Sequence, residues 1–220
     1  MESKLSKQFE TFVFDLDGTL LDTLTDLANS CNRALHAFGM PKRTVEEVRQ
    51  FLGNGVRRLM GNAVPQGVAN PIFENVLKAF RDDYIAHQFD TTRPYSGIVE
   101  MLGELRHRGI RVAVVSNKFN DATCALCRHF FDGLVDVAIG EREGIRKKPA
   151  PDTVYEALRQ LEAKRETAVY VGDSDVDIQT AHNAGIPCIS VLWGFRNRDF
   201  LIVHGATALA ENPMELLDFA

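Results

Sequence analysis

Cysteine is scarce in this sequence: Cys31, Cys124, Cys127 and Cys188 are the four in 220 residues. Scattered in this way they build no disulfide framework, so free thiols in a reducing compartment are expected. No apolar run is long enough to span a bilayer. Met1 to Glu10 is polar and has no secretory apolar stretch, so a cytoplasmic location is expected. An excess of positive charge is missing too. The formal net charge is −5, which offers no general attraction to nucleic acid or to an anionic membrane. There is no P-loop, and Gly53-Asn54-Gly55 lacks the rest of a dinucleotide fingerprint. The histidines show no metal-ligand spacing, and no repeat or low-complexity segment is present. Apolar residues are not lacking. They form 45% of the chain, enough for a sizeable core and too many for a disordered protein.

Those residues are grouped in short continuous runs at 11–15, 112–115, 134–139, 168–171 and 188–192. Each reads as a strand buried on both faces. Helical patterns lie between the later runs, at 98–108, 120–131, 153–161 and 176–184. Strand–helix alternation predicts an α/β fold, a three-layer sandwich around a parallel sheet. The alternation breaks once. From about 22 to 88 the pattern is helical only, with Leu24, Leu27, Ala28, Cys31, Ala34, Leu35 and Phe38 on one face. Thr44 and Glu47 make a capping box, Gly53-Asn54-Gly55 opens a third helix, and Asn70-Pro71 opens a fourth. The expected domains are a core of 1–20 and 91–220, with a small all-α insert of 21–90.

Sites in open parallel sheets lie beyond the carboxyl ends of the strands. After the first run come Asp15, Asp17, Gly18 and Thr19; after the second, Ser116-Asn117-Lys118. A loop with Lys147-Lys148-Pro149 follows the third, and Asp173, Asp175 and Asp177 follow the fourth. Carboxylates collected at one edge repel one another, and a divalent cation relieves the repulsion. Magnesium suits such hard oxygen donors. A cation and a lysine beside a carboxylate suit phosphoryl transfer. If strand geometry persists, Asp15 and Asp17 point the same way, so one can attack while the other moves protons.

At this point the chain resembles the haloacid dehalogenase superfamily over essentially its whole length. The first motif of that family, D-x-D-G-T-L-x-D-T, stands complete at Asp15 to Thr23. Ser116 fits the second motif, Lys148 before Pro149 the third, and Gly172-Asp173 with Asp177 the fourth. The resemblance implies five main parallel strands in the order 5-4-1-2-3, with the insert as a small helical cap. It implies that Asp15 becomes an aspartyl phosphate, that Asp17 is the acid/base, and that Ser116 and Lys148 hold the phosphoryl group. Lys147 is a rival for Lys148, disfavoured by the position of Pro149 alone. Magnesium would be held by Asp15, the Asp17 backbone carbonyl and Asp173, with Asp177 acting directly or through water.

Asp17 points away from ion pumps and toward a phosphatase or a phosphomutase. The cap, Gly53-Asn54-Gly55, Ser116-Asn117-Lys118 and Trp193-Gly194-Phe195 look most like phosphoglycolate phosphatases. A small phosphate ester is then the substrate, with Gly18, Thr19, Asn117, Asn54, Gly55 and Arg57 as candidate contacts. A β-phosphoglucomutase-like mutase and a non-catalytic binding module stand as alternatives. A monomer or weak homodimer is expected. Asp22 reads as the cap of the first insert helix, Arg57 and Arg58 as an exposed helix face, and Cys124-x-x-Cys127 as core thiols.

Overall fold

The computed structural model describes residues 8–220. The first part of the expected core segment and most of the polar start therefore lie outside the described residues. The chain begins with β1 (Thr11–Phe14) and β2 (Leu21–Asp22). Four helices follow: α1 (Leu24–Ala37), α2 (Val45–Phe51), α3 (Val56–Ala63) and α4 (Phe73–His87). Next come β3 (Arg93–Pro94), α5 (Ile98–His107), β4 (Arg111–Phe119), α6 (Asn120–Phe131), β5 (Val137–Glu141) and α7 (Asp152–Gln160). Then come β6 (Ala168–Gly172), α8 (Asp175–Ala184), β7 (Cys188–Val191), α9 (Arg198–Val203) and β8 (Leu209–Ala210), and a 3-10 helix at Pro213–Phe219 closes the chain. It divides into two compact units, Met1–Leu21 with Pro94–Ala220 and Asp22–Arg93.

The first unit carries a six-stranded sheet in the order β5-β4-β1-β6-β7-β8, parallel throughout. Its first five positions reproduce the expected order. The sixth strand, β8, is only two residues long and leaves no periodic trace in the sequence. Both faces are covered, as the continuous apolar runs require. Phe12, Phe14, Val112, Val114, Val169 and Val171 point to the side of α5 and α6, meeting Ile98, Met101, Leu102, Leu105 and Phe131. Val13, Ala113, Val115 and Tyr170 point to the other side, meeting Val154, Ala157, Ala181 and Ala184 of α7 and α8.

β4 departs from expectation. The apolar run stops at Val115, but the strand continues through Ser116, Asn117 and Lys118 to Phe119, with a register shift against β5 between Val115 and Phe119. These three polar residues are buried, so they belong to the strand end and not to a loop after it. Asn120 does not cap α6 with its side chain; its Oδ1 accepts from the Gly140 N–H at 3.1 Å.

The second unit is the helical one. α1 buries Leu24, Leu27, Ala28, Cys31, Ala34 and Leu35, and α4 buries Phe73, Val76, Leu77, Phe80 and Tyr84. The Thr44–Glu47 capping box is formed. Asp22 caps α1 from one position earlier than expected, accepting the Leu24 N–H at 3.2 Å while Thr23 takes the cap position.

Nothing in the sequence pattern marks Asp26, yet it is only 1% exposed and closes this unit's ends. Its carboxylate accepts from Thr91 N–H (3.0 Å), Thr91 Oγ1 (2.6 Å), Thr92 N–H (2.9 Å) and Thr92 Oγ1 (2.8 Å). Burial pushes its pKa up, but the bonds from Thr91 and Thr92 outweigh burial and hold it below the usual carboxylate value. A carboxylate with a depressed folded pKa stabilises above its unfolded value of about 3.9, and that stabilisation is lost as pH falls through the folded pKa. Asp26→Ala is expected to cost about 3 kcal/mol at neutral pH. Thermal unfolding from neutral pH down to about 3 checks the sign, since the gap between parent and variant should narrow in acid.

Candidate active site

β1 lies at the centre of the sheet between β4 and β6, with Phe14 in register with Val114 and with Val171. One residue beyond Phe14 is Asp15, whose N–H donates to Val171 O at 2.9 Å. Two residues beyond Val114 and Val171 stand Ser116 and Asp173. The register alone therefore puts a carboxylate at the middle of the edge, with a hydroxyl on one side and a second carboxylate on the other.

Lys148 completes the group from the loop after β5. It is 2% exposed, and its Nζ lies 2.8 Å from Asp15 Oδ1 and 2.8 Å from Asp177 Oδ1. Lys147 is exposed, so of the two lysines Lys148 is the one at Asp15. Asp15, Asp173 and Asp177 each bring a carboxylate oxygen within 4.8 Å of the others. Asp17 is half-buried, and its Oδ1 pairs with Lys118 Nζ at 3.1 Å. Asp175, a rival ligand that the family's motif spacing skips, does not join the cluster.

Two glycines let the segments close on Asp173. Gly18 has φ +87°, and a Cβ there would overlap the Asp173 carboxylate; a Cβ on Gly194 would overlap Asp173 and Gly18 O. Asp173 accepts the Phe195 N–H at 2.7 Å on one oxygen and Thr19 Oγ1 at 3.3 Å on the other. Trp193 Nε1–H donates to Thr19 O at 2.9 Å. Thr19 and Asn117, candidate substrate contacts, have other partners here. Asn117 Nδ2 donates to Lys148 O at 3.1 Å. Ser116 Oγ accepts the Lys118 N–H at 3.2 Å, which leaves its own proton to donate.

Asp177 is fully buried and fully used. Its Oδ1 accepts from Lys148 Nζ (2.8 Å) and Tyr170 OH (3.0 Å). Its Oδ2 accepts from Asp173 N–H (3.2 Å), Ser174 N–H (3.1 Å) and Ser174 Oγ (2.6 Å). Tyr170 and the Phe195 amide are members of this edge that the sequence reading omits. Tyr170 reads there as one more apolar residue of a buried strand, and a backbone donor has no side-chain signature.

Burial raises Asp15 well above the usual carboxylate range; the Asp177 charge adds to this and Lys148 opposes it. Burial and Asp177 likewise push Asp173 up to about 7. For Lys148, burial lowers the pKa, but Asp15 and Asp177 outweigh it and leave the ammonium firmly charged. Three buried carboxylates around one ammonium leave an excess of negative charge, and the donor atoms they offer are hard oxygens. A divalent cation such as magnesium fits that donor set.

The insert's candidates belong to the other unit. Gly55 takes the cap position of α3 at φ +81°, and Asn54 is exposed. Arg57 spends both terminal nitrogens on Glu74, at 2.6 and 3.1 Å, and lies 5.1 Å from the Phe73 ring centre. All four cysteines are free thiols; Cys31 and Cys127 are buried, whereas Cys124, expected as a core thiol with Cys127, is only partly buried, as is Cys188. Among the described residues, no helix is long and apolar enough to cross a membrane.

Residues 12–191 match the haloacid dehalogenase-like hydrolase family. A phosphoglycolate phosphatase of Aquifex aeolicus is 32% identical over 207 residues, covering 94% of this chain and 95% of that protein. A crystal structure from Lactobacillus delbrueckii subsp. bulgaricus, provisionally assigned as a phosphoglycolate phosphatase, superposes with a TM-score of 0.90 at 37% identity, covering 96% of this chain and 97% of that one. CbbY from Rhodobacter sphaeroides, solved in complex with phosphate, superposes with a TM-score of 0.79 at 28% identity, covering 95% and 96%.

Proposed function

Because this chain belongs to the haloacid dehalogenase-like hydrolase family, we propose that it is a magnesium-dependent phosphatase acting on a small phosphate monoester, with phosphoglycolate as the first candidate. The observation that carries the reading is the buried Lys148 ammonium 2.8 Å from Asp15 Oδ1, beside the Asp173 and Asp177 carboxylates. Named relatives at about this similarity support the choice of substrate.

Lys148 occupies Asp15 Oδ1, so Oδ2 is the oxygen for attack on phosphorus. As that bond forms, the bond from phosphorus to the leaving alkoxide breaks, and the alkoxide takes a proton from Asp17. Asp17 then removes a proton from water, which attacks phosphorus and frees Asp15 together with inorganic phosphate. Ser116 donates its hydroxyl proton to a phosphoryl oxygen, and Lys148 balances charge along the path of attack. Lys118, paired with Asp17, orients that acid/base. Asp15, Asp173 and the Asp17 backbone carbonyl would hold magnesium, which supplies neutralisation of phosphoryl charge. Asp177, with donors on both oxygens, holds Lys148 and the Asp173 segment in position.

Substrate contact is proposed for Gly18, Thr19 and Asn117 at this edge, and for Asn54 and Gly55 at the α3 N-terminus. Arg57 joins them only by releasing Glu74. The test is phosphate release from phosphoglycolate, sugar phosphates, nucleotides and pyrophosphate, compared by kcat/KM. The expected result is free phosphate, with phosphoglycolate favoured. An isomeric sugar phosphate as the product would make the chain a mutase, and no turnover of any ester would leave a binding module.

A further inference from the structure

Tyr170 is wholly buried in the middle of β6. Its ring sits among Val13, Val115, Val154, Ala181 and Ala184. Phenylalanine would fill that space as well, and a buried hydroxyl is costly unless it is bonded. This one is bonded twice, accepting from Lys148 Nζ at 3.0 Å and donating to Asp177 Oδ1 at 3.0 Å.

An ammonium has three protons to give. Lys148 gives them to Asp15, Asp177 and Tyr170, at 2.8, 2.8 and 3.0 Å. Two carboxylates alone leave the head of a long, flexible side chain free to swing about the line joining them. The third, neutral partner removes that freedom. The oxygen of Asp177 that Tyr170 touches also belongs to the carboxylate whose other oxygen gathers Asp173 N–H, Ser174 N–H and Ser174 Oγ. One hydroxyl therefore links the lysine to the segment that presents Asp173.

We propose that Tyr170 is a positioning residue, its hydroxyl fixing the Lys148 ammonium against Asp15 and in register with the Asp173 segment. The inference rests on the phosphatase reading above. Tyr170→Phe keeps every charge and both carboxylate partners of Lys148, and removes direction only. Direction matters most while Asp15 and phosphorus approach in line, so the loss should fall on turnover and not on substrate binding.

The full-length chain with magnesium serves for the test. Tyr170→Phe is expected to lower kcat roughly 10- to 100-fold with KM changed less than about twofold. A role confined to packing would lower thermal stability and leave kcat in place. Lysine-selective ¹⁵N NMR provides a reading independent of turnover. In the parent protein the Lys148 ammonium, assigned with Lys148→Arg, should be protected from solvent exchange and show through-space contacts to the Tyr170 ring; in Tyr170→Phe that protection should be lost. A kcat within about twofold of the parent, or a parent Lys148 ammonium that exchanges like a surface lysine, overturns the proposal. Should Tyr170→Phe fail to fold, the parent spectrum decides. A parent that hydrolyses no ester refutes the phosphatase reading, and the spectrum still tests the tether.

Discussion

Asp15→Asn is expected to cut kcat by roughly 10⁴-fold or more while leaving a folded protein. The amide has the shape of the carboxylate but carries no nucleophilic oxygen at neutral pH, so the acyl phosphate proposed above could not form. Two opposed effects keep the change in stability small. Removing one of three clustered negative charges relieves repulsion with Asp173 and Asp177. Lys148 loses one ion-pair partner but keeps Asp177 at 2.8 Å. Thermal melting should therefore place the variant within a few degrees of the parent, and phosphate release gives the rate. A variant turning over at a tenth of the parental rate or better would show that Asp15 is not the attacking group.

Chelation of magnesium should have an effect of similar size. With excess chelator, hydrolysis of any accepted ester should fall by roughly 10³-fold or more and return on adding magnesium. The physical reason is the charge count at the edge. Asp15, Asp173 and Asp177 are opposed by Lys148, with Arg196 also acting on Asp173, and burial with mutual repulsion still holds both Asp15 and Asp173 above the normal carboxylate range. A dianionic phosphoryl group cannot approach that field unaided. A second measurement separates binding from turnover: magnesium should raise the melting temperature in a concentration-dependent way, since a ligand of the native state stabilises it by mass action. Full activity in chelator, with no thermal response to magnesium, would remove the metal from the mechanism.

The elements were legible to different degrees, for identifiable reasons. β1, α6 and the buried face of α1 follow from runs and periods of apolar residues, because burial on one or two faces is what those patterns encode. The apolar run stops short of the end of β4, since the strand's last residues include three polar ones buried at the candidate site. β5 begins three residues later than its apolar run, at Val137 instead of residue 134, because Leu134 belongs to the turn after α6, its N–H bonded to Phe131 O at 2.9 Å. β8 and α9 are too short to carry a period. Asp26 carries no local signal because its donors, Thr91 and Thr92, lie 65 and 66 positions away.

By itself the sequence determined the alternation of strands and helices, the helical segment that interrupts it, and the family, through four motifs at or beyond the ends of strands. Such features are local: a period, a cap or a short spacing is complete within a few residues. Tertiary structure placed Lys148, which the sequence favoured over Lys147 on the adjacent Pro149 alone, against Asp15; it alone decided that Asp177 has both oxygens engaged and that a tyrosine in the β6 core hydroxyl-bonds this edge. Those outcomes depend on where separate strands stop relative to one another and on which donors burial leaves nearby, and neither quantity is written in any one stretch of chain.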